Sequence, residues 1–298
     1  MPMAAQPDHW SRWLLERRDA GDASVRRNTL EHLAPIRDRV LANAGPLDGA
    51  TLLDVGAGDG LIGLEALERV GPAGVVIFSD VSSALVERCE EAVRARGSLE
   101  RARFVVARAE DLDGIPDGSV DVITTRSVLI YVADKADAFA AFHRALRPGG
   151  LISLFEPINR LTFPEPRDRF WGYDVAAVAE LADKVRATFE DMHDPASATM
   201  TEFDAGDLVL LAEEAGFARV HCDCHIDIEP GQPPSGANVE TLLDTSPNPL
   251  APTIREAIAQ ALTEPERERF VIHLRQAHDE GRQLRRLAVA YLAAAKAA

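Results

Sequence analysis

Apolar residues follow two rhythms along this chain, and the changes between them mark its parts. From Trp10 to Ala44 the spacing is helical, with Trp13, Leu14, Leu30, Leu33, Ile36, Val40 and Leu41 supplying apolar faces. Gly21-Asp22 breaks that run, Pro35 is placed to open a helix, and Gly45-Pro46 closes the last one. Short apolar runs then alternate with amphipathic ones. Residues 51–55, 75–78, 103–107 and 120–125 read as strands. Residues 61–70, 82–96 and 134–146 read as helices, the last two with Ser82 and Asp134 as N-caps. A fifth strand follows Arg147-Pro-Gly-Gly150. The alternation predicts an α/β fold: a Rossmann-like parallel sheet with helices on both faces.

After Phe155 the pattern changes. Residues 157–166 are rich in proline and aromatics, and 175–192 return to helix. Residues 204–216 form a helix with a glycine stop, leading into a strand from 218 to about 229. A proline-rich loop spans 231–252, and 253–283 are helical with a break near Pro265. The apolar segment 287–297 ends the chain, and its alanine content on its own favours helix.

The most informative stretch is Leu52-Leu-Asp-Val-Gly-Ala-Gly-Asp-Gly60, where a strand runs into a glycine turn and then a helix. This is how an α/β protein brings backbone against a ligand at a strand's carboxyl end. Gly58 to Gly63 also satisfies the dinucleotide pattern GxGxxG, which is weak alone. A pyrophosphate there would meet Asp59 in the turn and Asp54 before it, and like charges disfavour it. A ligand with ammonium and sulfonium groups fits better: carboxylates facing the cations, glycine amides facing a carboxylate. Asp80, about 20 residues beyond the loop, is placed to accept both ribose hydroxyls of a nucleoside.

The stretch 52–60 resembles motif I of the class I S-adenosylmethionine (SAM) dependent methyltransferases, (Asp/Glu)-x-Gly-x-Gly-x-Gly. Later segments agree in order: Ser79-Asp80, Arg108-Ala-Glu-Asp-Leu112, and Leu146-Arg-Pro-Gly-Gly-Leu-Ile-Ser-Leu-Phe155. The chain is most similar to the ubiquinone/menaquinone-biosynthesis-like group of carbon and oxygen methyltransferases. The resemblance implies a single domain over 1–298, with SAM as methyl donor and S-adenosylhomocysteine as product. It implies a helical cap at 1–48, a cofactor-binding core at 49–157, and substrate-selecting cap insertions at 158–203 and 230–283. Residues 204–229 and 284–298 complete the core, the latter supplying the last strand. The implied cofactor contacts are Asp54, Gly56, Gly58, Gly60, Asp80, the adenine-side pair Ala109 and Glu110, and Arg126. Arg108 stands where the family often has aspartate.

Arg126 follows the fourth strand, where its planar fork can pair with an acid of the protein, clamp a substrate carboxylate or meet the cofactor's methionine end. Tyr131, Glu156, Asn159 and Arg160 lie at comparable positions and are candidates for the acceptor side, with Tyr131 and Glu156 the catalytic ones. His221-Cys-Asp-Cys-His225 resembles a metal cluster, but alternation on a strand sends the histidines and cysteines to opposite faces, so no metal is expected. Arsenite methyltransferases need a thiolate just after the fourth strand. This chain has Arg126-Ser127 there and its cysteines at 89, 222 and 224.

The formal net charge of −16 disfavours a nucleic-acid substrate. No apolar run approaches the length of a membrane span, and residues 1–10 lack a signal-peptide core, which predicts a cytoplasmic protein, monomeric or homodimeric. The expected activity is methyl transfer to oxygen, nitrogen or carbon of a small organic acceptor. An NAD(P)-binding oxidoreductase and a non-catalytic SAM-binding protein are the alternatives.

Overall fold

The structure is a computed structural model that describes residues 7–192, 194–231 and 239–298. Its strands are β1 (Thr51–Val55), β2 (Val75–Asp80), β3 (Ala102–Val106), β4 (Val120–Arg126), β5 (Leu146–Pro157), β6 (Arg169–Phe170), β7 (Tyr173–Asp174), β8 (Phe217–Pro230) and β9 (Leu284–Lys296). The helices are α1 (His9–Arg12), continued by a π-helical turn at Trp13–Arg17, α2 (Ala23–Asn43), α3 (Gly63–Arg69), α4 (Ser83–Ala95) and α5 (Lys135–Ala145). They continue with α6 (Ala179–Asp191), α7 (Ala205–Glu214), α8 (Val239–Leu243), α9 (Ile254–Ala261) and α10 (Glu264–Asp279).

Seven strands form one sheet in the order β3-β2-β1-β4-β5-β9-β8. The first five are mutually parallel, as the alternation predicts, but β9 runs antiparallel to both neighbours, so the sheet is mixed. The reason lies in the connection. β8 ends at the carboxyl edge of the parallel strands, and β9 begins beside it with Leu284 opposite Pro230. A chain that leaves and re-enters at one edge must come back in the opposite direction. β9 also shows why alanine content misleads. Both its edges are paired in the sheet, and Ala288, Ala290 and Leu292 face one side of it while Val289 and Tyr291 face the other.

Each sheet face has its own core. Val40 and Leu41 of α2, Ala66 and Leu67 of α3 and Cys89 and Val93 of α4 cover one face. Phe139 and Phe142 of α5 with Leu208 and Ala212 of α7 cover the other. Ser82 caps α4 by accepting from Leu85 N, and Asp134 caps α5 by accepting from Asp137 N. Pro35 opens no helix; it sits inside α2. Pro35 and Glu31 are both on the exposed side, so the carbonyl that loses its donor faces solvent and the helix continues. A third apolar cluster stands apart from the sheet. There Val178, Leu181 and Val185 pack against Leu243, Ile254, Ile258, Phe270 and Leu274, joining the segments around α6 and α8–α10. Part of the 231–252 loop, residues 232–238, lies outside the described residues.

Candidate functional site

The glycine loop leaves the carboxyl end of β1 with Gly56, Gly58 and Gly60 all in the left-handed region. At two of them space as well as conformation demands glycine: a Cβ at Gly56 would lie 2.2 Å from Val128 Cγ2, and one at Gly60 2.8 Å from Leu64 Cδ1. Two buried carboxylates hold the loop. Asp54 is 2% exposed and accepts from Gly63 N at the start of α3 and from Thr124 Oγ1 on β4, each at 2.9 Å. Burial outweighs these bonds and pushes its carboxyl up to about 7. Asp80 ends β2, is 7% exposed, and accepts from Gly58 N and Ser82 N at 2.9 Å each. Burial raises its pKa as well, with Asp8 adding like charge and the two amides opposing.

These bonds correct the reading in which Asp54 and Asp59 face a ligand's cations. Asp54 turns inward, because a carboxylate buried at a strand end finds its donors in the adjoining helix start and strand. Asp59 is already met by cations of the chain itself, with Arg26 at 3.2 Å and Arg18 at 3.9 Å. Those arginines belong to the N-terminal segment, which the resemblance implies as a cap but not as the source of partners for Asp59. Leu14, 7% exposed, lies over the loop, so a Cβ at Gly58 would meet its Cδ2 at 3.1 Å. Trp10 packs edge-on against Tyr131 with ring centroids 5.0 Å apart. The signal available was Asp59 itself: a carboxylate inside a glycine turn calls for a cation from elsewhere in the chain.

A cavity of about 30 Å³ is lined by Leu14, Asp54, Gly56, Ala57, Gly58, Asp59, Leu61, Ile62 and Arg126. Arg126 is half-buried, forms no ion pair among the described residues, and reaches only Ser127 Oγ at 3.3 Å. Ala109 is buried in the turn that follows β3, and Glu110 beside it pairs with Arg108 at 2.6 Å. The structure thus brings the glycine loop, Asp80 and Arg126 to one edge of the sheet.

The acceptor-side candidates divide. Tyr131 stands in the turn after β4, and burial raises its pKa, so its phenol keeps its proton. Glu156 is fully buried, and its carboxylate accepts from Val128 N and Leu129 N at 2.9 Å and from Ile130 N at 3.2 Å. Burial pushes Glu156 up to about 7, as the base reading asks, while three backbone amides hold both of its oxygens inside the protein. Asn159 sits in the turn after β5, where its carbonyl accepts from Thr162 N and Phe163 N. Arg160 is exposed and points towards Asp204 and Asp207, at 3.9 and 3.8 Å, rather than joining Arg126. On β8, Arg39 binds Asp223 and His225 while Cys222 packs inward, and no group among the described residues is placed to hold a metal.

Comparison with known proteins settles the family. A methyltransferase domain model matches residues 53–154. Nocamycin O-methyltransferase of Saccharothrix syringae is 31% identical over 217 residues, covering 70% of this chain and 74% of that protein. The chain belongs to the class I SAM-dependent methyltransferases. The tRNA 5-carboxymethoxyuridine methyltransferase of Escherichia coli is 34% identical over 117 residues, 39% of this chain and 43% of that enzyme. The fold is that of YcgJ from Bacillus subtilis, at a TM-score of 0.53 and 18% identity, covering 90% of this chain and 99% of that one. The methyl donor is SAM, and the oxidoreductase alternative finds no support. The residues present fit that donor: a loop that admits only glycine at Gly56, a carboxylate at the end of β2, and an unpaired guanidinium.

Proposed function

We propose that the chain methylates a small organic acceptor and that the acceptor lies beside the Tyr131 turn, beneath the N-terminal segment. In this reading Gly56, Gly58 and Gly60 line the cofactor, and Asp80 accepts the ribose hydroxyls. Ala109 and Glu110 flank adenine, Arg126 meets the methionine carboxylate, and Asp54 acts by holding the loop. When bound, SAM supplies a methyl on a sulfonium whose departure leaves a neutral thioether. What this chain's residues contribute is alignment and exclusion of water. Tyr131, kept protonated, serves as a wall or donor rather than as a base.

The observation that carries the small-acceptor reading is the roof over the glycine loop, with Leu14 against Gly58 and Trp10 against Tyr131. A site roofed by its own chain, in a protein of formal net charge −16, suits a compact acceptor better than a polyphosphate chain. The similarity to nocamycin O-methyltransferase supports transfer to an oxygen of a small molecule. No helix among the described residues is long and apolar enough to cross a membrane. We place the enzyme in the cytoplasm, as a monomer or homodimer, with the insertions 158–203 and 230–283 as its acceptor cap.

The test is transfer of radiolabelled methyl from SAM to fractions of a cell extract, with S-adenosylhomocysteine and NAD compared by titration calorimetry. Label in the low-molecular-weight fraction supports the reading. Label in tRNA would replace it, and failure to bind S-adenosylhomocysteine would remove the site.

A further inference from the structure

The turn 127–131 touches the glycine loop, the N-terminal segment and the segment before α7, and one side chain fixes it. Ser127 takes a left-handed conformation, φ 54°, that non-glycine residues adopt with strain, and its N–H donates to Phe155 O at 2.8 Å. The next three amides all point at the Glu156 carboxylate. From that anchor the turn reaches three ways. Val128 packs so closely on Gly56 that no side chain fits there. Tyr131 carries the ring of Trp10 from the N-terminal segment. Ile130 O accepts from Thr199 Oγ1 at 2.8 Å, and Lys135 Nζ bridges Val132 O to Thr199 O, which fastens the segment before α7 to the turn.

We propose that Glu156 is the positioning residue of the site: its carboxylate sets the 127–131 turn, which braces the glycine loop at Gly56 and holds Tyr131 as a wall of the acceptor cleft. This rests on reading the cleft as the SAM and acceptor site. The carboxylate is suited to the task because its two oxygens offer acceptor positions to three converging N–H groups, and its burial excludes competing water. An amide at the same place has one acceptor oxygen and turns donor hydrogens towards donors.

Three measurements on the full chain test it. In Glu156→Gln, amide hydrogen exchange at Val128–Ile130 should accelerate at least tenfold, with β1, β2 and β4 still protected. The affinity for S-adenosylhomocysteine should fall three- to tenfold. Trp10 emission, read in a Trp13→Phe/Trp171→Phe background, should shift as the Tyr131 wall moves, a change that a purely global loss of stability does not produce below the melting transition. Unchanged exchange and unchanged emission in the folded variant would overturn the proposal. Should Glu156→Gln not fold, Val128→Ala decides the matter. It leaves the Glu156 bonds in place and removes the brace, so it should weaken S-adenosylhomocysteine binding while 128–130 stay protected; unchanged affinity would overturn the bracing role. The SAM reading fails separately, if the unaltered chain does not bind S-adenosylhomocysteine at all.

Discussion

Asp54 and Glu156 both hold backbone, and burial pushes each up to about 7 from the ordinary carboxylate range. A carboxyl whose folded pKa is raised stabilises the protein fully below its unfolded value, and that contribution is lost as pH rises through the folded value. Stability should therefore decline between about pH 4 and 7 and level off above, by on the order of a few kcal/mol for the two groups together. Urea midpoints across that range check this, and Asp54→Asn or Glu156→Gln should flatten the profile. A profile that rises with pH would refute it. Asp80 carries the second expectation at this scale. Asp80→Ala should weaken S-adenosylhomocysteine binding by about 1.5–3 kcal/mol, the worth of charge-assisted bonds to two hydroxyls. Calorimetry showing no change would move the nucleoside elsewhere. Asp80 was legible in the sequence because its role depends on spacing from the glycine loop. The partners of Glu156 were not, because they are main-chain amides 26 to 28 residues away that no residue type announces.

Among elements, the glycine loop was readable residue by residue, whereas the N-terminal cap was expected as a segment without its contacts. A left-handed turn advertises itself through glycine, whereas α1 and its π-helical continuation act through Leu14, Arg18 and Trp10, ordinary residues whose partners lie far along the chain. Gly58→Val joins both facts. Its φ of +58° is one that branched side chains rarely adopt, and a new Cβ 3.1 Å from the Leu14 methyl would push that methyl aside. Binding of S-adenosylhomocysteine should be abolished while circular dichroism stays that of the native fold. Retained affinity would mean that the loop does not line the cofactor. β8 gives an expectation of a different kind: its His221–His225 run is divided between two faces, and Arg39 already occupies Asp223 and His225. Treatment with a chelator should leave the melting temperature unchanged, and a drop reversed by added zinc would show a site there.

At the scale of the whole molecule, the question is how far the cap can loosen before the cofactor is lost. Its apolar cluster, with Phe270 fully buried among residues of α6, α8 and α9, is separate from the two clusters that cover the sheet. Three ties reach from its surroundings towards the glycine loop: Trp13 Nε1 donates to Ser246 O at 2.8 Å, Ser246 N donates to Arg17 O at 3.1 Å, and the Arg17 side chain pairs with Glu256 at 2.5 Å. The last is exposed and worth at most about 1 kcal/mol. Phe270→Ala should cost the cap about 3–5 kcal/mol of local stability, as the loss of a large buried ring does. Asp80 and the glycine loop contribute no residue to that cluster, so affinity for S-adenosylhomocysteine should fall only a few-fold. Methyl transfer to the identified acceptor should fall much further, because alignment and exclusion of water act on the transition state. The comparison to make is calorimetric affinity against turnover, with exchange confirming that α9 and α10 have loosened. Parallel loss of both would show that the cap completes the cofactor site through the Trp13 and Arg17 ties, and the division of labour between core and cap would then be wrong.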